Sequence, residues 1–167
     1  MGEGKQIWIA AYTRAHAEKR VALQIRDRGV SCFVPLQRRL HTWSDRSRWV
    51  EEPLIPSYVF VFLSPPEHHR LFDIPGFVRI VMFHGRAAVV RPEEIALLQK
   101  TEAHSHAKAV TANQIVRGER VEIVGGVFAG HSGVVVRGEK SNRVAIIIEE
   151  LSFAVIVDVQ PADVRRT

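Results

Sequence analysis

The residues best equipped for chemistry in this 167-residue chain are arginines, histidines and tryptophans, and their spacing suits binding more than catalysis. Between Arg14 and Arg48 stand nine cations (Arg14, Lys19, Arg20, Arg26, Arg28, Arg38, Arg39, Arg46 and Arg48) against only Glu18, Asp27 and Asp45. Such a cluster suits phosphate contact, which would make binding salt-dependent. Arg14, Lys19, Arg20 and Arg28 lie on or just before one amphipathic segment, where a solvated helix face is the competing reading. Arg38, Arg39, Arg46 and Arg48 are interleaved with Trp43 and Trp49, offering charge beside stacking surfaces. A flexible hairpin touching DNA or RNA and a structural β-hairpin with packed tryptophans fit that pattern equally. From His104 onward eight cations face seven acids, so the positive field belongs to the N-terminal part.

Catalytic constellations are missing from the sequence pattern. No Ser/His/Asp set and no pair of carboxylates occupies a motif suited to nucleophilic or acid–base work. His68 and His69 are adjacent, and adjacent side chains diverge on a helix, so they do not form a metal pair. His104 and His106 offer a weak metal site at most. Cys32 is the only cysteine, which leaves no internal disulfide and no thiolate zinc site. Within Val30-Ser31-Cys32-Phe33-Val34 it reads as a small buried hydrophobe. The glycines near Gly125 lack the following helix of a phosphate-binding loop. The expectation is a protein without enzyme activity, metal or cofactor.

The elements that must position these side chains follow from periodicity. Hydrophobic residues make up 46% and charged residues 25%, as in folded soluble domains, and the net charge is +5. No apolar run reaches the ~20 residues of a membrane span, and the polar start lacks a signal-peptide pattern. A cytoplasmic protein is expected. Residues 6–13, 31–36, 53–63 and 77–83 read as strands, being rich in β-branched and aromatic residues. On 53–63, Tyr58 and Phe60 share one face while Val59 and Val61 share the other. Residues 15–28 read as a helix with Val21, Ala22 and Ile25 inward and Gly29 as stop. Ser64-Pro65-Pro66-Glu67 starts a short helix, and Pro92-Glu93-Glu94 starts another through Lys100.

These elements predict an α+β domain over residues 1–103, one sheet with helices packed on it. Residues 104–114 lack bulky apolar periodicity and read as a linker. Residues 115–167 predict a small all-β barrel of five or so strands, near 120–124, 133–137, 143–149 and 153–158. Glycines and the pair Ser141-Asn142 mark its turns.

Two segments carry a family resemblance. Glu52-Pro53-Leu54-Ile55-Pro56-Ser57-Tyr58-Val59-Phe60-Val61 resembles the strand motif of the NusG N-terminal domain. Gly118 to Gly133 resembles a KOW motif, the glycine-marked hairpin that opens the NusG C-terminal SH3-like barrel. Within Arg38–Glu52, the pattern Trp-Ser-Asp-Arg-x-x-Trp is similar to specialised paralogues of the UpxY type, with RfaH as a related comparison.

The resemblance implies a transcription elongation or antitermination factor, expected as a monomer, that docks on the clamp helices of the largest subunit of bacterial RNA polymerase. Tyr12, Ile55, Pro56, Tyr58, Phe60, Phe83 and Leu98 are the implied docking residues. His68, His69 and Arg70 lie near the implied contact with the polymerase gate loop. Arg14, Lys19, Arg20 and Arg28, with Arg38 and Arg39, are the implied contacts to the non-template DNA strand. Phe128 is implied in contact with the termination factor Rho or a small-subunit ribosomal protein. Action at selected operons is favoured over a housekeeping NusG role. A ribosomal or other RNA-binding KOW protein would explain the charge and the barrel, but not the strand motif.

Overall fold

The computed structural model describes residues 4–104, 106–115, 118–136 and 143–167. The expected turns at Gly138 and Ser141-Asn142, the start at Val116 and the strand end at Arg137 lie outside these residues. The chain divides into two compact units, Met1–Ala96 and Leu97–Thr167.

Through its second α-helix the chain runs β1 (Ile7–Thr13), α1 (Glu18–Asp27), β2 (Ser31–Phe33), β3 (Leu36–Thr42), β4 (Ser47–Pro53) and β5 (Tyr58–Leu63). A 3-10 helix (Pro65–Leu71) follows, then β6 (Phe77–Ile80), β7 (Met82–Phe83), β8 (Arg86–Ala87), β9 (Val89–Val90) and α2 (Pro92–Thr101). The main sheet has the order β2-β5-β1-β6, with β9 also paired to β1. All its pairings are antiparallel, and β1 aligns with β5 from Ile7↔Leu63 to Tyr12↔Tyr58. β3 and β4 form a separate two-stranded ribbon, and β7 and β8 another.

Helix α1 covers one face of the main sheet. Its Val21, Ala22 and Ile25 pack with Ile9 and Ala11 of β1 and Val59, Val61 and Leu63 of β5. Burying such side chains contributes about 1.5–3 kcal/mol each relative to exposure. Gly29 ends the helix at φ +74°, a left-handed conformation that glycine adopts without a Cβ clash.

Four expectations change in this unit, and two of them are residues 31–36 and 77–83, each of which divides between strands of two different sheets. Residues 53–63 are not one strand: β4 ends at Pro53, β5 begins at Tyr58, and Leu54 N–H donates to the Pro35 carbonyl at 2.7 Å. Pro53 and Pro56 have no N–H to give to a ladder, so the chain turns there. The helix expected after Ser64 is a 3-10 helix, opened by a capping box between Ser64 and Glu67.

The second unit is all-β after α2. Its strands are β10 (Lys108–Thr111), β11 (Arg120–Ile123), β12 (Ser132–Val135), β13 (Arg143–Ile148), β14 (Phe153–Asp158) and β15 (Val164–Arg166). They form one antiparallel sheet of order β10-β14-β13-β12-β11-β15. Residues 104–114 therefore differ from the expected linker, because 108–111 pair with β14 from Lys108↔Ile156 to Thr111↔Phe153. Lys-Ala-Val-Thr has little apolar alternation of its own and gains its strand conformation from the edge of β14.

Candidate functional site

With α1 on one face of the sheet, alternation sends the aromatic residues to the other. Trp8, Ala10 and Tyr12 of β1 stand opposite Phe62, Phe60 and Tyr58 of β5, and Phe33 of β2 stands opposite Phe60. The rings meet across the strands: Trp8–Phe62 at 5.1 Å, Tyr12–Tyr58 edge-on at 5.8 Å and Phe33–Phe60 at 6.4 Å between centroids. Such pairs add about 0.5–1.5 kcal/mol each beyond the area they bury. Tyr12 and Tyr58 are half-buried and Pro56 is exposed, so these three expected docking residues present surface. Ile55, Phe60 and Leu98 have no exposed surface, and the half-buried Phe83 lies 4.1 Å from the His84 ring.

Sequence reasoning missed Arg79. It stands opposite Tyr12 on β6 and holds its guanidinium carbon 5.1 Å from the Tyr12 ring centre. Burial pushes the Tyr58 phenol up, and the charge of Arg79 opposes that shift. A cation at that place could be read only once the register of β1 against β6 was known.

Beside Tyr58 lies a groove of about 600 Å³, lined by His16, Glu18, Lys19, Pro53, Pro56 and Ser57 among others. Two of these residues are left-handed without being glycine: His16 at φ 62° and Ser57 at φ 68°. The buried Glu18 carboxylate accepts the Ser57 N–H at 2.8 Å, and the Ser57 carbonyl accepts the Thr13 N–H at 2.8 Å. These bonds fix a turn whose conformation costs an ordinary residue about 1–2 kcal/mol. Ser57→Gly should therefore raise stability by about 0.5–1 kcal/mol, seen as a higher urea midpoint with an unchanged slope. A lower midpoint would show that the serine side chain contributes more than the backbone costs.

The expected phosphate-binding cations separate into two groups. Arg14, Lys19 and Arg20 are exposed, with Lys19 also donating to the Glu51 carbonyl at 3.2 Å. Arg28 is engaged inside the unit, bonding Asp73 at 2.5 Å and the Arg70 carbonyl at 2.6 Å. Arg70 returns a bond to the Arg28 carbonyl at 2.6 Å and pairs with Glu67 at 3.0 Å. This reciprocal clasp ties the end of α1 to the 3-10 helix. Asp73 raises the Arg28 pKa, and Arg28 in turn holds Asp73 below the usual carboxylate range. Arg28 and Arg70 thus serve the fold first, a role that residues 42 apart in sequence do not announce.

Of the neighbouring histidines, His69 is exposed, with Nδ1 2.8 Å from the Pro66 carbonyl. His68 is half-buried, and desolvation lowers its pKa and favours the neutral ring. Its buried Nε2 has no hydrogen-bond partner among the described residues.

The arginine- and tryptophan-rich stretch is a regular ribbon. β3 and β4 pair from Leu36↔Pro53 to Thr42↔Ser47, and Trp43 and Trp49 are both exposed rather than packed. Arg38 and Arg39 are exposed; Arg39 lies 4.0 Å from the Glu52 carboxylate and bonds Gln37 at 3.2 Å.

In the second unit Phe128 is buried, its ring 5.2 Å from that of His104. The large apolar side chains exposed in that glycine-rich turn are instead Val124 and Val127. Among the described residues no group of three His, Cys, Asp or Glu side chains could hold a metal ion. No described helix is long and apolar enough to cross a membrane.

Comparison with known proteins adds the family. A search of curated proteins finds no match to the sequence. Among solved structures, one described as "Domain interaction in Thermotoga maritima NusG" is 19% identical, covers 99% of both chains and superposes with a TM-score of 0.61. That likeness shows the fold, a sheet with helices plus a separate all-β unit. A structure of the MjSpt4:Spt5 complex, 18% identical over 96% of this chain and 98% of the other, gives a TM-score of 0.34, too low to argue from. The family model described as "Transcription termination factor nusG" matches residues 6–99, which takes in the aromatic face, α1 and the ribbon. With more than half its length matched by that model, the chain belongs to the NusG family of transcription factors.

Proposed function

We propose that the protein is a transcription elongation and antitermination factor that docks on the clamp helices of the largest subunit of bacterial RNA polymerase. It contacts the non-template DNA strand and promotes processive elongation, acting at selected operons. Family membership supports association with polymerase. The observation that carries the docking site is the aromatic face opposite α1, where Tyr12 and Tyr58 present surface beside Arg79, while the exposed Pro56 lines the neighbouring groove. Phe60, without exposed surface, packs against Phe33 within that face, and Ile55 is buried in the turn before β5. His69 is the exposed member of the trio assigned to the gate loop. Rho or a small-subunit ribosomal protein would meet the second unit at the exposed Val124 and Val127, beside the buried Phe128. The activity is one of binding and needs neither cofactor nor catalytic group.

Arg14 and Arg20 contact DNA phosphates in this reading. Replacing both with Glu should weaken retention on elongation complexes and flatten the dependence of affinity on salt. Each lost single-strand phosphate contact lowers the log–log slope by about 0.7, so the pair should remove roughly 1.4. An unchanged slope would return both residues to the solvated surface of α1.

A further inference from the structure

The β3–β4 ribbon holds two indoles in the open, Trp43 at 46% and Trp49 at 57% exposure. Directly opposed residues of an antiparallel pair share a face. The register therefore puts Arg38, Leu40, Trp49 and Glu51 on one side, and Arg39, His41, Arg48 and Val50 on the other. Trp43, whose backbone N–H donates to the Arg46 carbonyl at 2.7 Å, continues the second side together with Arg46.

Each side thus carries one indole with a guanidinium beside it. The Arg38 guanidinium carbon is 5.8 Å from the Trp49 ring centre, and that of Arg46 is 5.7 Å from Trp43. The His41 ring stacks on Trp43 at 5.6 Å and 26°. Charge is graded along the ribbon as well. From Arg38 to Arg48, four arginines face Asp45 alone. The acids Glu51 and Glu52 sit at the base, where Lys19 bonds the Glu51 carbonyl and His41 pairs with Glu52 at 2.5 Å.

This distribution selects among ligands. Protein interfaces place apolar groups together in a core depleted of charge. The ribbon does the opposite, dividing its aromatic surface between two faces and setting cations on both. A duplex keeps its base faces stacked inside and leaves nothing for an indole to cover. Unpaired bases expose π-faces and carry a phosphate each, matching an indole next to an arginine.

We propose that the ribbon is a stacking element for unpaired bases of single-stranded DNA. Trp43 takes a base on one side and Trp49 a base on the other, while Arg38, Arg46 and Arg48 hold the flanking phosphates. The proposal rests on the DNA-contact reading above for the identity of the strand, but it uses residues separate from Arg14 and Arg20.

The test is titration of the full chain into a labelled, mixed-sequence single-stranded DNA, the same sequence as RNA, and a blunt duplex. Anisotropy reports affinity and indole quenching reports stacking. The single-stranded DNA should bind about tenfold more tightly than the duplex, and Trp43→Ala and Trp49→Ala should each weaken it about tenfold. The matching Phe variants should stay within about threefold of the parent, because a phenyl ring still stacks. Leu variants, apolar but without a π-face, should behave like Ala, which separates stacking from folding if an Ala variant proves unstable. Alanine variants that bind like the parent, or equal affinity for duplex and single strand, would overturn the proposal. Tighter binding of the RNA would overturn its assignment to DNA. Loss on Arg14→Glu/Arg20→Glu alone sinks the ribbon and leaves the α1 contact standing, whereas loss on the tryptophan variants alone does the reverse.

Discussion

Tyr58→Ala is expected to weaken binding to bacterial RNA polymerase by about thirtyfold or more, while the chain stays folded. Half-buried aromatic anchors in an interface carry about 2 kcal/mol or more when truncated, and 1.4 kcal/mol is tenfold. Tyr58 has the right setting, with its ring edge-on to Tyr12 at 5.8 Å on the face that α1 leaves uncovered. Part of its surface is still open, so truncation removes a contact without opening a sealed cavity. Phe60, two residues on, has no exposed surface. Phe60→Ala should cost about 3–5 kcal/mol of stability, so any loss of binding there would report unfolding first. Equilibrium binding to immobilised polymerase, with a thermal melt of each variant, separates the two cases. Normal binding by a folded Tyr58→Ala chain would remove the aromatic face from the account.

Gly133→Ala should loosen the second unit's sheet by about 2 kcal/mol, within the usual range for overpacking. A Cβ at Gly133 would stand 2.5 Å from the Ala145 carbonyl oxygen and 2.6 Å from Val144 Cγ1. The first neighbour is backbone of β13, which cannot swing aside as a side-chain tip can. Strands β12 and β13 would have to part where Val134 aligns with Ala145. Amide exchange in β12 and β13 should accelerate about thirtyfold, following the free-energy change, with β1 and β5 unaffected. Unchanged protection in β13 would mean the sheet accommodates the methyl. Glycine stands at 133 because β12 and β13 approach there too closely for a side chain.

Much of the first unit was legible because its central strands are unbroken β-branched and aromatic runs and its first helix has a helical apolar period. β1 and β5 stand out as apolar on both faces, and α1 follows from Val21, Ala22, Ile25 and the stop at Gly29. That same double-sided apolarity hid which face of the sheet α1 covers. Only the packing of α1 against Val59 and Val61 decides it and leaves Tyr58 on the other side. Long-range pairing also decided the fate of individual cations. Arg28 and Arg14 look alike in sequence, yet Arg28 meets Asp73 across 45 positions and is committed to the fold. β10 and β15 escaped notice because Lys108–Thr111 and Val164–Arg166 are short edge strands, whose conformation comes from β14 and β11. The ribbon's seven aligned pairs and the exposure of its tryptophans needed the register, which alternating charge and aromatic residues leave open.

Competition for the clamp helices decides whether the aromatic face docks there. The full chain is bound to purified bacterial elongation complexes while a clamp-helix fragment of the largest polymerase subunit is added in solution. The fragment is expected to displace the chain, and Tyr58→Ala is expected to lose this binding together with its affinity for the fragment. Binding indifferent to the fragment, or no binding to polymerase at all, would contradict docking by that face.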